Sequence, residues 1–288
     1  MSVQPGAPLR LLSTIGPFNI GLLMRAAREL FGSVLLLGGL TFGLSYLMGY
    51  AFPRIQERIL ERGGPTRAML QFRQAFLGDD AAMALPGQIA AGIQWSHPVL
   101  LALVFAQIIV SATRVPPAET ERGTIDVLLG LPVSRWQIYC SETLALVTSA
   151  LVMLLAACAG AYFARASVNP KVLVDWASVQ NVLANLACLQ VAVIGVVCLL
   201  SSLSERRGRA VLAAVSLVLA WIIGEFLGGL WEPARRVEWL SLLHYYKPLA
   251  VVRADDLPWV HMLTLLGVGT VTWVAGGVVL SRRALTSV

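Results

Sequence analysis

The residues whose types and spacing could do chemistry gather in one stretch, Arg114–Gln137 (RVPPAETERGTIDVLLGLPVSRWQ). The chemistry it suits is docking against a partner. Pro116 and Pro117 end whatever helix precedes them, and Pro117 can take the first position of a short new one. That helix would carry Glu119 and Glu121 in its first turn, where acids favour the positive end of the helix dipole. Gly123 breaks the turn, and Thr124 can cap the next. Ile125, Val127, Leu128, Leu129 and Leu131 then place apolar side chains on a stretch flanked by Gly130 and Pro132. Ser134 with Gln137 forms a capping box for the helix that follows. The pattern predicts a short, rigid, partly apolar helix between two firm breaks, fit to press into a partner's groove. A plainer alternative is a well-capped connector that touches only its own chain.

Other chemistries lack their residues. There is no G-x-x-x-x-G-K-[ST] phosphate loop, and neither lysine, Lys171 or Lys247, follows a glycine. A serine elbow, an HExxH pair and paired intramembrane carboxylates are also missing. Cys140, Cys158, Cys188 and Cys198 lie in or beside apolar runs and read as packing residues. His97, His244 and His261 are too far apart to suggest metal-ligand spacing. The chain is thus expected to hold no catalytic, cofactor or metal site of its own.

The elements that must position the Arg114–Gln137 stretch follow from composition. Of 288 residues 57% are hydrophobic and 13% charged, against roughly 45–50% and about 25% in soluble domains. One soluble core of this length cannot hide that excess. A soluble enzyme, a disordered regulator and a nucleic-acid-binding domain are excluded, although the net charge is +6. Six runs can cross a hydrocarbon core that needs about 20 apolar residues of helix: Phe31–Phe52, Ile93–Ala112, Thr143–Phe163, Val182–Ser202, Ala210–Leu230 and Trp259–Leu280. Pro17–Leu30 reads as an amphipathic helix in the interface that feeds the first span, or else as an extension of that span. The chain reads as one membrane domain over residues 1–288.

Orientation rests on basic residues, which favour the cytoplasmic side. The two sides carry eleven each. Ser204–Arg209 (SERRGR), with Glu205, Arg206 and Arg207, packs three arginines beside two spans and tips the choice towards cytoplasmic termini. The outer loops would then be 53–92 and 231–258, and the stretch over 113–138 would be cytoplasmic. Leu240–Val252 is too short to span and reads as interfacial or re-entrant. Within the spans, Glu225 can reach headgroups, be protonated, pair with an arginine or line a path. Asn185 and Gln190 are expected to hydrogen-bond between helices. Gly39/Gly43 and Gly224/Gly228 have the spacing for close helix contact, within the chain or between copies. Trp95, Trp231, Trp239 and Trp259 suit an aromatic belt, with His97 and His261 interfacial.

With these residues in view, ETERGTIDVLLGLPVSRWQI resembles the first cytoplasmic loop of type-2 ABC transporter permeases. In that family an acidic, Gly-Thr segment leads to Leu-Leu, Pro and Ser-Arg. The matching positions are Glu119, Glu121, Arg122, Gly123, Thr124, Asp126, Leu128, Leu129, Pro132, Ser134 and Arg135. An N-terminal helix ending at Arg28–Leu30, six spans and a closing Arg282–Arg283 pair agree in outline; the first outer loop is larger than in compact members.

The resemblance implies an all-α integral membrane protein with six transmembrane helices, an N-terminal interfacial amphipathic helix and a cytoplasmic coupling helix. It implies a permease subunit in the cell membrane, both termini cytoplasmic, paired with a second permease copy or paralogue. Two copies of a separate ATP-binding subunit would hold ATP and Mg and seat on Glu119–Leu131. Glu205, Arg206 and Arg207 would be a second contact, and Glu225 a candidate for the transport path. Export of a substrate is the expected activity. An alternative is a non-transporting subunit that drives assembly of an extracytoplasmic protein docked at the 53–92 loop.

Overall fold

The computed structural model describes residues 14–15, 18–61, 64, 84–121, 133–170, 173–228, 231–254 and 256–282. Eight helices carry the fold: α1 (Ile20–Glu61), α2 (Pro86–Ser96), α3 (Pro98–Ala112), α4 (Arg135–Arg165), α5 (Trp176–Leu203), α6 (Arg207–Gly228), α7 (Pro248–Ala254) and α8 (Trp259–Arg282). Taken with α2 and α3 as one broken helix, six helices among the described residues are long and apolar enough to cross a bilayer. A two-residue antiparallel pairing, Thr14–Ile15 with Phe18–Asn19, precedes α1 without changing the all-α class.

Several boundaries differ from those expected, each for a local reason. Residues 20–30 are helical and one-sided, with Leu22, Ala26 and Leu30 buried. They continue into the first span without a break, because nothing between Leu30 and Phe31 interrupts the backbone hydrogen bonds. At its other end α1 runs on through Pro53 to Glu61, although a proline deprives the carbonyl four residues back of its amide partner. The 53–92 connection is therefore helical at both ends, since α2 starts at Pro86. Most of its middle lies outside the described residues.

The second span breaks at His97, which is extended (φ −63°, ψ 124°) because the following Pro98 disfavours the helical region. His97 repairs the break: its Nδ1 accepts the Val99 amide at 3.3 Å and caps α3. The span ends as the prolines require. Val115, before Pro116, is extended (φ −129°, ψ 130°). The Ser134–Gln137 capping box forms in both directions, at 3.1 and 2.9 Å.

Within the chain, close helix contact runs through glycines other than those at the expected spacings. α1 packs along α4 where Gly160 meets Phe42; a Cβ there would lie 2.4 Å from the Phe42 carbonyl oxygen. α5 packs along α8 through Gly195 and Gly269, where a Cβ on Gly195 would lie 2.1 Å from the Gly269 carbonyl oxygen. Gly39, Gly43 and Gly224 have open space at the Cβ position, and Gly228 receives the Glu238 carboxylate instead of a helix. α5 is the most enclosed helix, whereas α1 and α6 keep broad apolar faces exposed.

Trp95 is a further correction. It is 1% exposed, in the main core cluster with Phe105, Leu146 and Leu186, and its carbonyl accepts the Tyr246 hydroxyl at 3.1 Å. Trp231, Trp239 and Trp259 are exposed, as a belt requires. The Leu240–Val252 run folds back onto the bundle, with Leu242, Leu243, Tyr246, Leu249, Val251 and Val252 buried.

Candidate functional site

Alternation of the spans brings the start of α1, the end of α3, the starts of α4 and α6 and the end of α8 to one end of the bundle. Five charged side chains meet there. The Arg25 guanidinium donates to the Glu119 carboxylate at 2.5 Å and to Glu29 at 2.8 Å. Arg114 donates to Glu29 and to Glu142. The result is a continuous chain, Glu119–Arg25–Glu29–Arg114–Glu142, across two helices, α1 and α4, and the start of the segment that follows α3. Glu119 and Arg114 are its buried members, with side chains 3% and 8% exposed. Two buried charges of opposite sign are tolerable because each faces an opposite partner.

Sequence reasoning assigned Glu119 and Glu121 to an external partner. Within the chain, Glu119 is turned inward to Arg25. The exposed Glu121 accepts the Arg207 backbone amide at 3.1 Å, where α6 begins. This contact sets the 204–209 turn, with Glu205 and Arg206 exposed, directly beside Glu121. Glu121, at the entry of the first assigned stretch, thus adjoins the second.

The far end of the segment is tied down as well. Ser134 caps α4, and Arg135 donates to the Leu280 and Ser281 carbonyls at 3.3 and 3.4 Å. A cation suits the negative end of α8. Trp136 lies over Gly277, and Tyr139 stacks with Trp273 at 5.4 Å between centroids while its hydroxyl donates to the Trp273 carbonyl. Arg122, Gly123, Thr124, Asp126, Leu128, Leu129 and Pro132, the heart of the expected coupling helix, lie outside the described residues. Their flanks are attached to α1 through Arg25, to α6 through Arg207 and to α8 through Arg135.

Arg25, Glu29, Arg114 and Glu142 were missed as site residues. Arg25 and Glu29 have the i, i+4 spacing of a helical ion pair, the one local signal available. Nothing local linked them to Arg114 or Glu142.

Glu225 stands at the opposite end, on α6. One carboxylate oxygen is buried without a hydrogen-bond partner among the described residues, and Lys247 and Glu238 are within its electrostatic reach. The cation facing it is a lysine, where an arginine pair was one reading. Asn185 makes no side-chain hydrogen bond among the described residues, contrary to expectation, and the Gln190 amide nitrogen is likewise unpartnered. No cluster of histidine, cysteine and acidic side chains that could hold a metal occurs among the described residues.

A family model described as ABC-2 family transporter protein matches residues 41–283. No curated protein matches the chain.

Proposed function

The chain belongs to the ABC-2 transporter family, and from that premise we propose that the Glu119–Arg135 segment is the lever through which a separate ATPase drives this subunit. Membership makes the chain a multi-pass membrane component of an ABC transporter that associates with an ATP-binding subunit and is not itself the ATPase. The proposal concerns how the work is transmitted. Two ATPase copies seat on the apolar face of residues 125–131, on the cytoplasmic side, beneath two permease copies. The Ser204–Arg209 turn, joined to Glu121, is the margin of the same seat. Both termini are cytoplasmic, and the substrate moves outward.

The observation that carries this reading is the attachment of the segment at both ends. A push on residues 122–132 is delivered to α1 through the Glu119–Arg25 pair, to α6 through Glu121 and Arg207, and to α8 through Arg135. A connector needed only for continuity has no use for three such attachments. Leverage of this kind also explains why Glu119 and Arg114 are buried as ions: a buried pair resists sliding, because separating it leaves an uncompensated charge.

The test is affinity purification of the tagged chain from its native membrane in mild detergent, with Leu128→Arg alongside. An ATPase carrying a phosphate loop should accompany the native chain at one copy per permease. It should be lost from Leu128→Arg while the spans remain inserted. Equal recovery with the variant would overturn the assignment.

A further inference from the structure

Arg54 and Arg165 stand at the end of the bundle opposite the Glu119 network. From Arg25 to Arg54, α1 climbs roughly 44 Å at the helical rise of about 1.5 Å per residue. That equals the thickness of a bilayer including its headgroups, about 40–45 Å. Arg54 is therefore at headgroup level when the Arg25 network is at the other surface.

The two guanidiniums are built in alike. Arg54 lies 3.8 Å over the Tyr50 ring, and its Nη2 donates to the Ser167 carbonyl at 2.7 Å. Arg165 lies 5.4 Å from the Trp176 ring, and its Nη1 donates to the Val174 carbonyl at 3.0 Å. Both carbonyls belong to the short connection between α4 and α5, and Pro53, next to Arg54, lines one cavity with Arg165, which sets both arginines at one corner of the molecule. Both side chains are half-buried.

Among the described residues neither guanidinium has a carboxylate within ion-pair distance. Asp175, close by in sequence, spends one oxygen on the Ala177 amide as the cap of α5. Between α1, α2, α4 and α5 a cavity of about 40 Å³ opens beside this corner, with Pro53, Gln94, Arg165 and Trp176 in its wall. It admits a few heavy atoms, so a ligand enters by a polar tip while its bulk stays outside.

We propose that Arg54 and Arg165 together bind a phosphate group, and that its source is the headgroup of a phospholipid in the leaflet facing this end of the bundle. A guanidinium offers five N–H donors in a fork that matches phosphate oxygens. Each arginine commits one donor to a carbonyl and retains others for an anion. The rings of Tyr50 and Trp176 hold each fork in place and limit its access to water, which strengthens the charge-assisted bonds. A shared anion also relieves repulsion between the two cations.

The full chain, purified in a maltoside detergent without phosphate, is titrated with dioleoyl phosphatidylglycerol and, separately, with inorganic phosphate. Native mass spectrometry reads the bound lipid. The native chain should hold the lipid about tenfold more tightly than the Arg54→Gln, Arg165→Gln double variant, as the loss of two charge-assisted contacts implies. Arg58→Gln, on the exposed side of the same helix, should bind as the native chain does. Should the glutamine variant fail to fold, Arg54→Lys with Arg165→Lys keeps both charges and loses the forks; it should bind several-fold more weakly than the native chain. Displacement of the lipid by millimolar inorganic phosphate would retain the phosphate site and overturn the lipid as its source. Equal lipid binding by native and double-variant chains, or equal weakening by Arg58→Gln, would overturn the site.

Discussion

Glu119 and Arg25 are ninety-four positions apart in sequence, yet their side chains meet at 2.5 Å, with the carboxylate buried and the guanidinium 37% exposed. The pair joins the start of the first long helix to the entry of the segment between the second and third spans. Through Glu29 it continues to Arg114 and Glu142, so a displacement at Glu119 is felt by α1, α4 and the residues that follow α3 together.

The members of this chain should not be equal. Arg114→Gln removes the partner of two carboxylates from a buried position and should cost about 3–5 kcal/mol. Glu119→Gln leaves Arg25 with Glu29 and partial access to water, so its cost should be about 1–2 kcal/mol. Adding Glu142→Gln to Arg114→Gln should recover part of the loss. Thermal unfolding of the detergent-purified variants measures the order; an Arg114→Gln protein as stable as Glu119→Gln would contradict the buried network.

Two glycines within the spans should behave oppositely. At Gly195 a methyl group would meet the Gly269 carbonyl oxygen at 2.1 Å, a backbone atom that cannot swing aside. Gly195→Ala should force α5 and α8 apart and cost about 1–3 kcal/mol. At Gly39 nothing lies within 4 Å of the added group, so Gly39→Ala should be neutral or stabilising through helix propensity. Unfolding temperatures of the two variants, compared in one detergent, decide it.

His244 predicts a pH dependence with a definite sign. Burial pushes its pKa below the ordinary histidine value, and Lys247 pushes in the same direction, while Glu238, 3.4 Å away, opposes both. His261 adds a smaller lowering. The unfolded chain therefore binds the proton first. The contribution of a neutral His244 is complete above the unfolded histidine pKa, about 6.5, and is lost as pH falls through the lower folded value. His244→Gln should lose less stability than the native chain between pH 7 and pH 5. Parallel unfolding series across that range, with identical slopes for both proteins, would remove His244 from the account.

Much of the fold was legible because its causes are local. Hydropathy over some twenty residues selects the spans, since a helix in lipid must satisfy its own backbone and expose apolar side chains. Pro116 and Pro117 end the second span, and Ser134 with Gln137 starts the third, through sterics and hydrogen bonds that reach no further than one turn. The absence of a phosphate loop is equally a property of short strings, and so is the Glu-Arg-Gly-Thr to Ser-Arg pattern that pointed to the family. Pro53 was the local signal that misled. It marks a proline held within α1 by packing, not the end of the helix.

What the amino-acid sequence alone determined, then, is six helices, their breaks and the one polar segment between the second and third. Only the tertiary structure decided what that segment's flanks hold: Glu119 turned inward to Arg25, Glu121 set on the start of α6, Arg135 closing the end of α8. It also decided that Trp95 is core, and that within the chain Gly160, Gly195 and Gly269 carry the close contacts while Gly39 and Gly43 do not. The physical reason is the same in each case. A side chain's type is written in the sequence, but its partner is whichever helix packs beside it, and helices in a bundle meet through shape and charge across a hundred residues of chain that no local pattern records.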